Sequence, residues 1–292
     1  VGEHVMAATS SYAVPRVIAT NCAGRWQQRF DSLPPVAWLA LQATALWPHW
    51  RWAAARVADG SDDPLGLAAL AALGVLMWRL APQLRATPRP LWLGAAIVAT
   101  LAATAASFVM PPLVGALLAA LALAAGARAF MPSQHAMLPM AGLTVLALPV
   151  VSSLQFYAGY PLRVVTAQLS TWLLQGLGWA AQRSGTAMLV QGRLVIVDAP
   201  CSGVQMVWMA YFCACAVAAF GGLRDGQFLR RLPFVGLLVL AGNVLRNSAL
   251  VGLEASRSAV AETTHQAVGL LMLLLVCGAV AAVVLGGRDG QR

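Results

Sequence analysis

The sequence predicts an all-α polytopic membrane protein of about eight transmembrane helices, with an outer loop carrying an amphipathic helix and a small β-hairpin. Three observations predict it. The chain is 60% hydrophobic and 10% charged, where a soluble domain is about 25% charged. Apolar runs long enough to cross a hydrocarbon core of about 30 Å recur along its length. The charges fall in short connections that alternate between arginine-rich and arginine-poor, the pattern of topogenic signals.

Taken in order, the expected spans are 34–50, 65–81, 91–109, 112–130, 136–154, 204–221, 232–253 and 265–286. The first is short and ends in Trp47-Pro48-His49-Trp50-Arg51-Trp52, which reads as an interfacial aromatic belt. Met110-Pro111-Pro112 leaves room only for a tight turn, so the third and fourth spans form an antiparallel hairpin. Residues 1–33 lack the apolar core of a signal peptide, and the first span is expected to serve as its own insertion signal.

Arg16, Arg25 and Arg29 precede the first span, and Arg79, Arg85 and Arg89 follow the second. Arg128, then Arg224, Arg230 and Arg231, then Arg288 and Arg292 continue the same alternation. The opposite connections hold Asp59, Asp62 and Asp63, later Glu254, Arg257 and Glu262. The positive-inside rule places both termini in the cytoplasm. The expected organisation is a cytoplasmic tail 1–33, an N-terminal five-helix membrane region 34–154, an extracytoplasmic loop 155–203, a three-helix catalytic membrane region 204–286 and a cytoplasmic tail 287–292.

Within the loop, Leu162, Val165, Leu169, Trp172, Leu173, Leu177 and Ala180 recur at helical spacing over 161–181. They suit an interfacial amphipathic helix, with a ninth span as the alternative. Two β-branched runs, Ala187-Met188-Leu189-Val190 and Leu194-Val195-Ile196-Val197, flank Gln191-Gly192-Arg193 and predict a hairpin that leads to Cys201.

Composition also excludes classes. The net charge of +9 arises because every one of the 19 basic residues is arginine and only 10 residues are acidic. Those arginines are spread mainly over the connections and tails around apolar spans, so the bilayer is the partner and nucleic acid is not. The five cysteines form no zinc-ligand spacing, and neither a metal nor another cofactor is implied. Cys213, Cys215 and Cys277 fall inside spans as small apolar filler.

Three residues carry chemistry. Cys201 precedes a span in a Cys201-Ser202-Gly203 context, where free helix-start amides lower a thiol pKa and favour a developing oxyanion. Arg246 lies fourteen residues into its span, roughly 21 Å along it, where an arginine costs roughly 2.5–3.5 kcal/mol and faces a cavity or a partner. Asn243 is one turn before it, and Asn247 adds a further polar group. His265 opens the last span. The alternation puts all three in one outer layer. A thiol nucleophile, an imidazole base and a guanidinium oxyanion partner make a cysteine acyl-transfer site.

At these residues the chain resembles the exosortase/archaeosortase family, membrane cysteine transpeptidases of the PEP-CTERM sorting type. The likeness rests on Cys201-Ser202-Gly203, Asn243-Val244-Leu245-Arg246 and His265 with Gly269, in that order over about 155–286. Pro200 stands where that pattern has a small residue. The resemblance implies catalytic Cys201, Arg246 and His265, supported by Ser202, Gly203 and Asn243. It implies exported substrates with a C-terminal motif, a hydrophobic helix and a basic tail. It also implies transfer to a surface acceptor that the sequence does not identify, at the outer face of a bacterial inner membrane. The contrasting class is a transporter or assembly scaffold with a polar site at Arg246 and Asn243. Such a protein would carry further polar residues or internal repeats, which the Ala/Leu spans lack.

Overall fold

A computed structural model describes residues 33–197, 202–256 and 262–286. Ten helices are present among them: α1 (Pro35–Ala45), α2 (Trp47–Ala58), α3 (Gly66–Leu80), α4 (Pro90–Val109), α5 (Pro112–Phe130), α6 (Leu138–Leu146), α7 (Val151–Gly176), α8 (Val204–Gly221), α9 (Asp225–Ser256) and α10 (Glu262–Leu285). A three-stranded antiparallel sheet, β1 (Ala181–Ser184), β2 (Ala187–Val190) and β3 (Arg193–Ile196), lies between α7 and α8. The protein is an all-α polytopic membrane protein with this one small sheet.

By length and composition, six helices among the described residues can cross a membrane: α3 with its following 3₁₀ turn, α4, α5, α8, α9 and α10. The bent pair of α6 and α7 is a seventh when counted as one span. Two of the expected runs are interrupted, and a proline lies at each. The first span, 34–50, is broken at Leu46 because Pro48 near the start of α2 has no N–H to continue the ladder. The fifth, 136–154, is broken at 147–150, where Pro149 removes a donor and disfavours helix at Leu148. There the axis turns by 97° into α7.

The broken α1–α2 pair nevertheless tracks along α5. Leu39 packs on the cluster that includes Met131. The Gln42 amide donates to Ala122 O and Thr100 Oγ1 and lies against Gly126. Leu46 packs with Ala103, Ala119 and Ala122, and His49 abuts Gly115. Alanine and glycine along α5 permit this approach, as in other membrane helix pairs.

Residues 155–176, expected as outer loop, belong to the 26-residue α7. The helix expected over 161–181 is present as far as Gly176. Val165, Trp172 and Leu177 are exposed, while Thr166, Ser170 and Thr171 are buried. In lipid the apolar side faces outward and small polar side chains face protein. The seam they make with α9 is explicit. Asn243 Nδ2 donates to Thr166 Oγ1 at 2.9 Å, Asn247 Nδ2 to Ser170 Oγ at 3.0 Å, and Ser170 Oγ to Val244 O at 3.3 Å. Asn247→Leu strands Ser170 without this donor. It is expected to lower stability by about 1 kcal/mol, read as an earlier midpoint in SDS titration from bicelles.

The expected hairpin is present. Val190 pairs with Arg193 across a two-residue turn, and Gln191 (φ 52°) and Gly192 (φ 80°) are both left-handed, as a type I′ turn requires. The polar strand Ala181-Gln182-Arg183-Ser184 adds a third member through Gly185 (φ 62°). Met188 and Val190 pack onto Ala167, Leu174, Leu250 and Val251, which fixes the sheet over α7 and α9.

Two ends of the bundle differ in charge. At one, Arg85 N and Arg89 N donate to Phe130 O and Ala129 O, Arg79 lies over Phe220, and Arg231 reaches Val284 O. Asp225 Oδ1 accepts from Leu138 N there. Asp59, Asp62 and Asp63 lie at the other end, with the starts of α7, α8 and α10. Hydrogen bonds from the Ser61 hydroxyl and backbone amide hold Asp59 below the usual carboxylate range.

Candidate active site

At the end that holds Asp59, Asp62 and Asp63, α8, α9, α10 and the α2–α3 connection line a cavity of about 470 Å³. Arg246, His265 and Gly269 line it, with Asp63, Gln205 and Glu262 among the other polar walls. Two of the three residues singled out from sequence therefore share one cavity. The third, Cys201, lies outside the described residues, as do Asp198 and Pro200. The helix start that follows it is described: Ser202 and Gly203 lead into α8, and Gln205 and Met206 of its first turn line the cavity.

That helix start is built tightly. Ser202 is 2% exposed; its hydroxyl donates to Gln155 Oε1 at 2.8 Å and accepts from Val204 N at 3.3 Å. Gly203 has φ +85°, a conformation that costs a residue with a β-carbon about 1–3 kcal/mol. A β-carbon there would also lie 2.7 Å from Cγ and Nδ2 of Asn243. Glycine is required on both counts, and its contact joins the segment after Cys201 to the middle of α9.

The second glycine plays the same part for the arginine. A β-carbon at Gly269 would sit 3.3 Å from both Nε and Nη2 of Arg246. The guanidinium thus lies across the bare backbone of α10, one turn from His265. Gly242 closes the α9–α10 contact lower down, where its α-carbon abuts Val276. The spacing of glycines is the physical reason these helices approach closely enough to share a cavity.

Sequence reasoning put Asn243 and Arg246 on one polar stripe. The structure separates them. Asn243 and Asn247, four residues apart, face α7, whereas Gly242 and Arg246 face α10 and the cavity. Asn243, 3% exposed, is held between Thr166 and Gly203 rather than beside the guanidinium. Four contributors were missed: Gln155, Thr166, Asp63 and Gln205. Gln155, Gly159, Thr166 and Ser170 do fall on one face of α7, a signal available in the sequence. Nothing in the sequence pairs Asp63 with Gln205, which are 142 residues apart.

A family model described as transmembrane exosortase matches residues 52–282, a stretch that holds every residue lining this cavity. The chain belongs to the transmembrane exosortase family. No curated protein and no solved structure matches it. Membership makes it a multi-pass membrane protein of a sorting-enzyme family, with a membrane transpeptidase role in general terms. Within this exosortase, Cys215 is packing: it is 4% exposed and abuts Gly142. Cys213 directs its thiol toward Cys277 O across the α8–α10 contact. A buried, helix-locked thiol of this kind is inert filler.

Proposed function

We propose that this exosortase is a cysteine transpeptidase that cleaves the C-terminal sorting tail of exported proteins and transfers the new carboxyl end to a surface acceptor. The observation that carries the reading is the shared cavity of Arg246 and His265 beside the helix start that follows Cys201. His265 takes the proton of the Cys201 thiol. The thiolate bonds to the scissile carbonyl carbon, and the carbonyl electron pair becomes an oxyanion held by Arg246. Collapse expels the amine of the tail, which leaves with the proton from His265. A thioester remains. An acceptor nucleophile gives its proton to His265, attacks the thioester and releases the Cys201 thiolate.

Ser202, Gly203 and Asn243 support the nucleophile by fixing the start of α8. The end that holds Arg85, Arg89, Arg128 and Arg231 faces the cytoplasm, so the cavity opens at the periplasmic or outer face of a bacterial inner membrane. Substrates carry a short motif, one hydrophobic helix and a basic cluster, the last complementary to a cytoplasmic anionic surface.

The test uses the full chain in vesicles with a tailed substrate. Cys201→Ala is expected to leave the protein inserted and the tail uncut. The Cys-containing enzyme is expected to accumulate an adduct that hydroxylamine releases. Tail cleavage at the normal rate by Cys201→Ala would sink the reading.

A further inference from the structure

Six residues from three distant parts of the chain close a ring around the start of α8. Asp62, in the α2–α3 connection, is 6% exposed, and its Oδ1 accepts from Ser152 N at 3.2 Å in the first turn of α7. Ser152 Oγ returns a bond to Ser61 O at 2.7 Å. One turn on, Gln155 Oε1 accepts from Ser202 Oγ at 2.8 Å. Three residues after Ser202, Gln205 Nε2 donates to Asp63 Oδ2 at 3.1 Å, which returns the ring to its beginning. Asp62 is itself fixed, with its side chain fully buried and Arg56 Nη2 at 3.7 Å from Oδ2. Its Oδ1 also accepts from Asp63 N at 2.9 Å, which ties the Asp62 carboxylate to the backbone of the next residue.

The ring grips both sides of the turn that carries Ser202, Gly203 and Gln205. Neither Asp62 nor Gln155 lines the cavity, whereas Asp63 and Gln205 do. Given the cysteine reading above, on which this inference rests, the geometry points to Asp63 as a positioning residue for the nucleophile. Through Gln205 it holds the first turn of α8, the turn that follows the cysteine in the chain. The N-terminal half of the chain thus supplies part of the active-site scaffold, although the reacting groups all come from the C-terminal half. The bond needs an acceptor oxygen at residue 63 and does not need its charge, and it exchanges no proton with the reaction.

The test is steady-state tail cleavage by the full chain in vesicles, comparing Asp63→Ala, Asp63→Asn and Gln205→Ala with the unaltered enzyme and Cys201→Ala. Asp63→Ala and Gln205→Ala are expected to lower kcat by about 10–100-fold with KM held within about twofold, as a misplaced nucleophile does. Asp63→Asn keeps an oxygen for Gln205 and is expected to recover kcat to within about threefold, with an unchanged pH profile. The inference is overturned by unaltered kcat in both Asp63→Ala and Gln205→Ala. It is equally overturned by an Asp63→Asn enzyme as slow as Asp63→Ala or shifted in its pH profile, because the carboxylate would then act by charge or proton transfer. Should Asp63→Ala not accumulate in the membrane, Gln205→Ala decides the matter from the other end of the same bond. Normal cleavage by Cys201→Ala would instead remove the cysteine reading itself, so the two failures are distinguishable.

Discussion

Arg246→Ala is expected to lower kcat for tail cleavage by about 10²–10³-fold, the loss that follows removal of one oxyanion donor. KM is expected to change little, because the oxyanion exists only in the transition state. Insertion should not suffer, since removing an arginine from a span relieves a cost of roughly 2.5–3.5 kcal/mol. Arg246→Lys is the sharper variant. The guanidinium lies against Gly269, with Nε and Nη2 equally close to where a β-carbon would be. A lysine ammonium is a point charge on a flexible stem and cannot reproduce that planar placement. Recovery by lysine is expected to be partial, about tenfold short of arginine. A lysine enzyme at the full rate would show that charge alone suffices and that the Gly269 contact is incidental.

Gly203→Ala is expected to be nearly as damaging, for a reason that involves no reacting group. The backbone at Gly203 is left-handed, and the added methyl would lie 2.7 Å from the Asn243 amide. Either the start of α8 shifts or Asn243 gives up Thr166. The backbone strain alone is about 1–3 kcal/mol. Cleavage is expected to fall about 10²-fold, because a displacement near 1 Å is costly at a nucleophile. Asn243→Ala in the same chain makes room for the methyl. The double variant is therefore expected to be less impaired than the product of the two single effects, by a coupling of about 0.5–3 kcal/mol. Strict additivity of the two would mean that Gly203 and Asn243 do not press on one another.

These two residues illustrate how far the sequence could be read. Long apolar runs at α3, α4, α5, α8, α9 and α10 were legible because lipid imposes length and hydropathy on each one separately. The turn at Gln191-Gly192 was legible because only a few residues tolerate that backbone. That Arg246 and His265 lie at one end of the bundle was legible from the alternation of the charged connections. The breaks at Pro48 and Pro149 were visible as residues and were overruled by hydropathy averaged across them. Which face of α7 meets protein was not legible, because a moment shows that two faces differ, not which one meets protein when the surroundings are lipid. Gln155 with Ser202, and Asp63 with Gln205, are side-chain meetings across 47 and 142 residues. Only the packed bundle brings them into range.

The helix that bears His265 is the least engaged of its neighbours. Within its span α10 is 17% buried inside the protein, against 44% for α9 and 39% for α8. Its Leu270, Leu271, Leu274 and Leu275 are exposed, and Leu270 and Leu273 also wall the cavity. Moving α10 outward forfeits less packing than moving α9, which is bound by the asparagine seam. The cavity therefore has one wall tied to α7 through the asparagines, carrying the guanidinium, and one wall whose outer leucines are left to the lipid, carrying the imidazole.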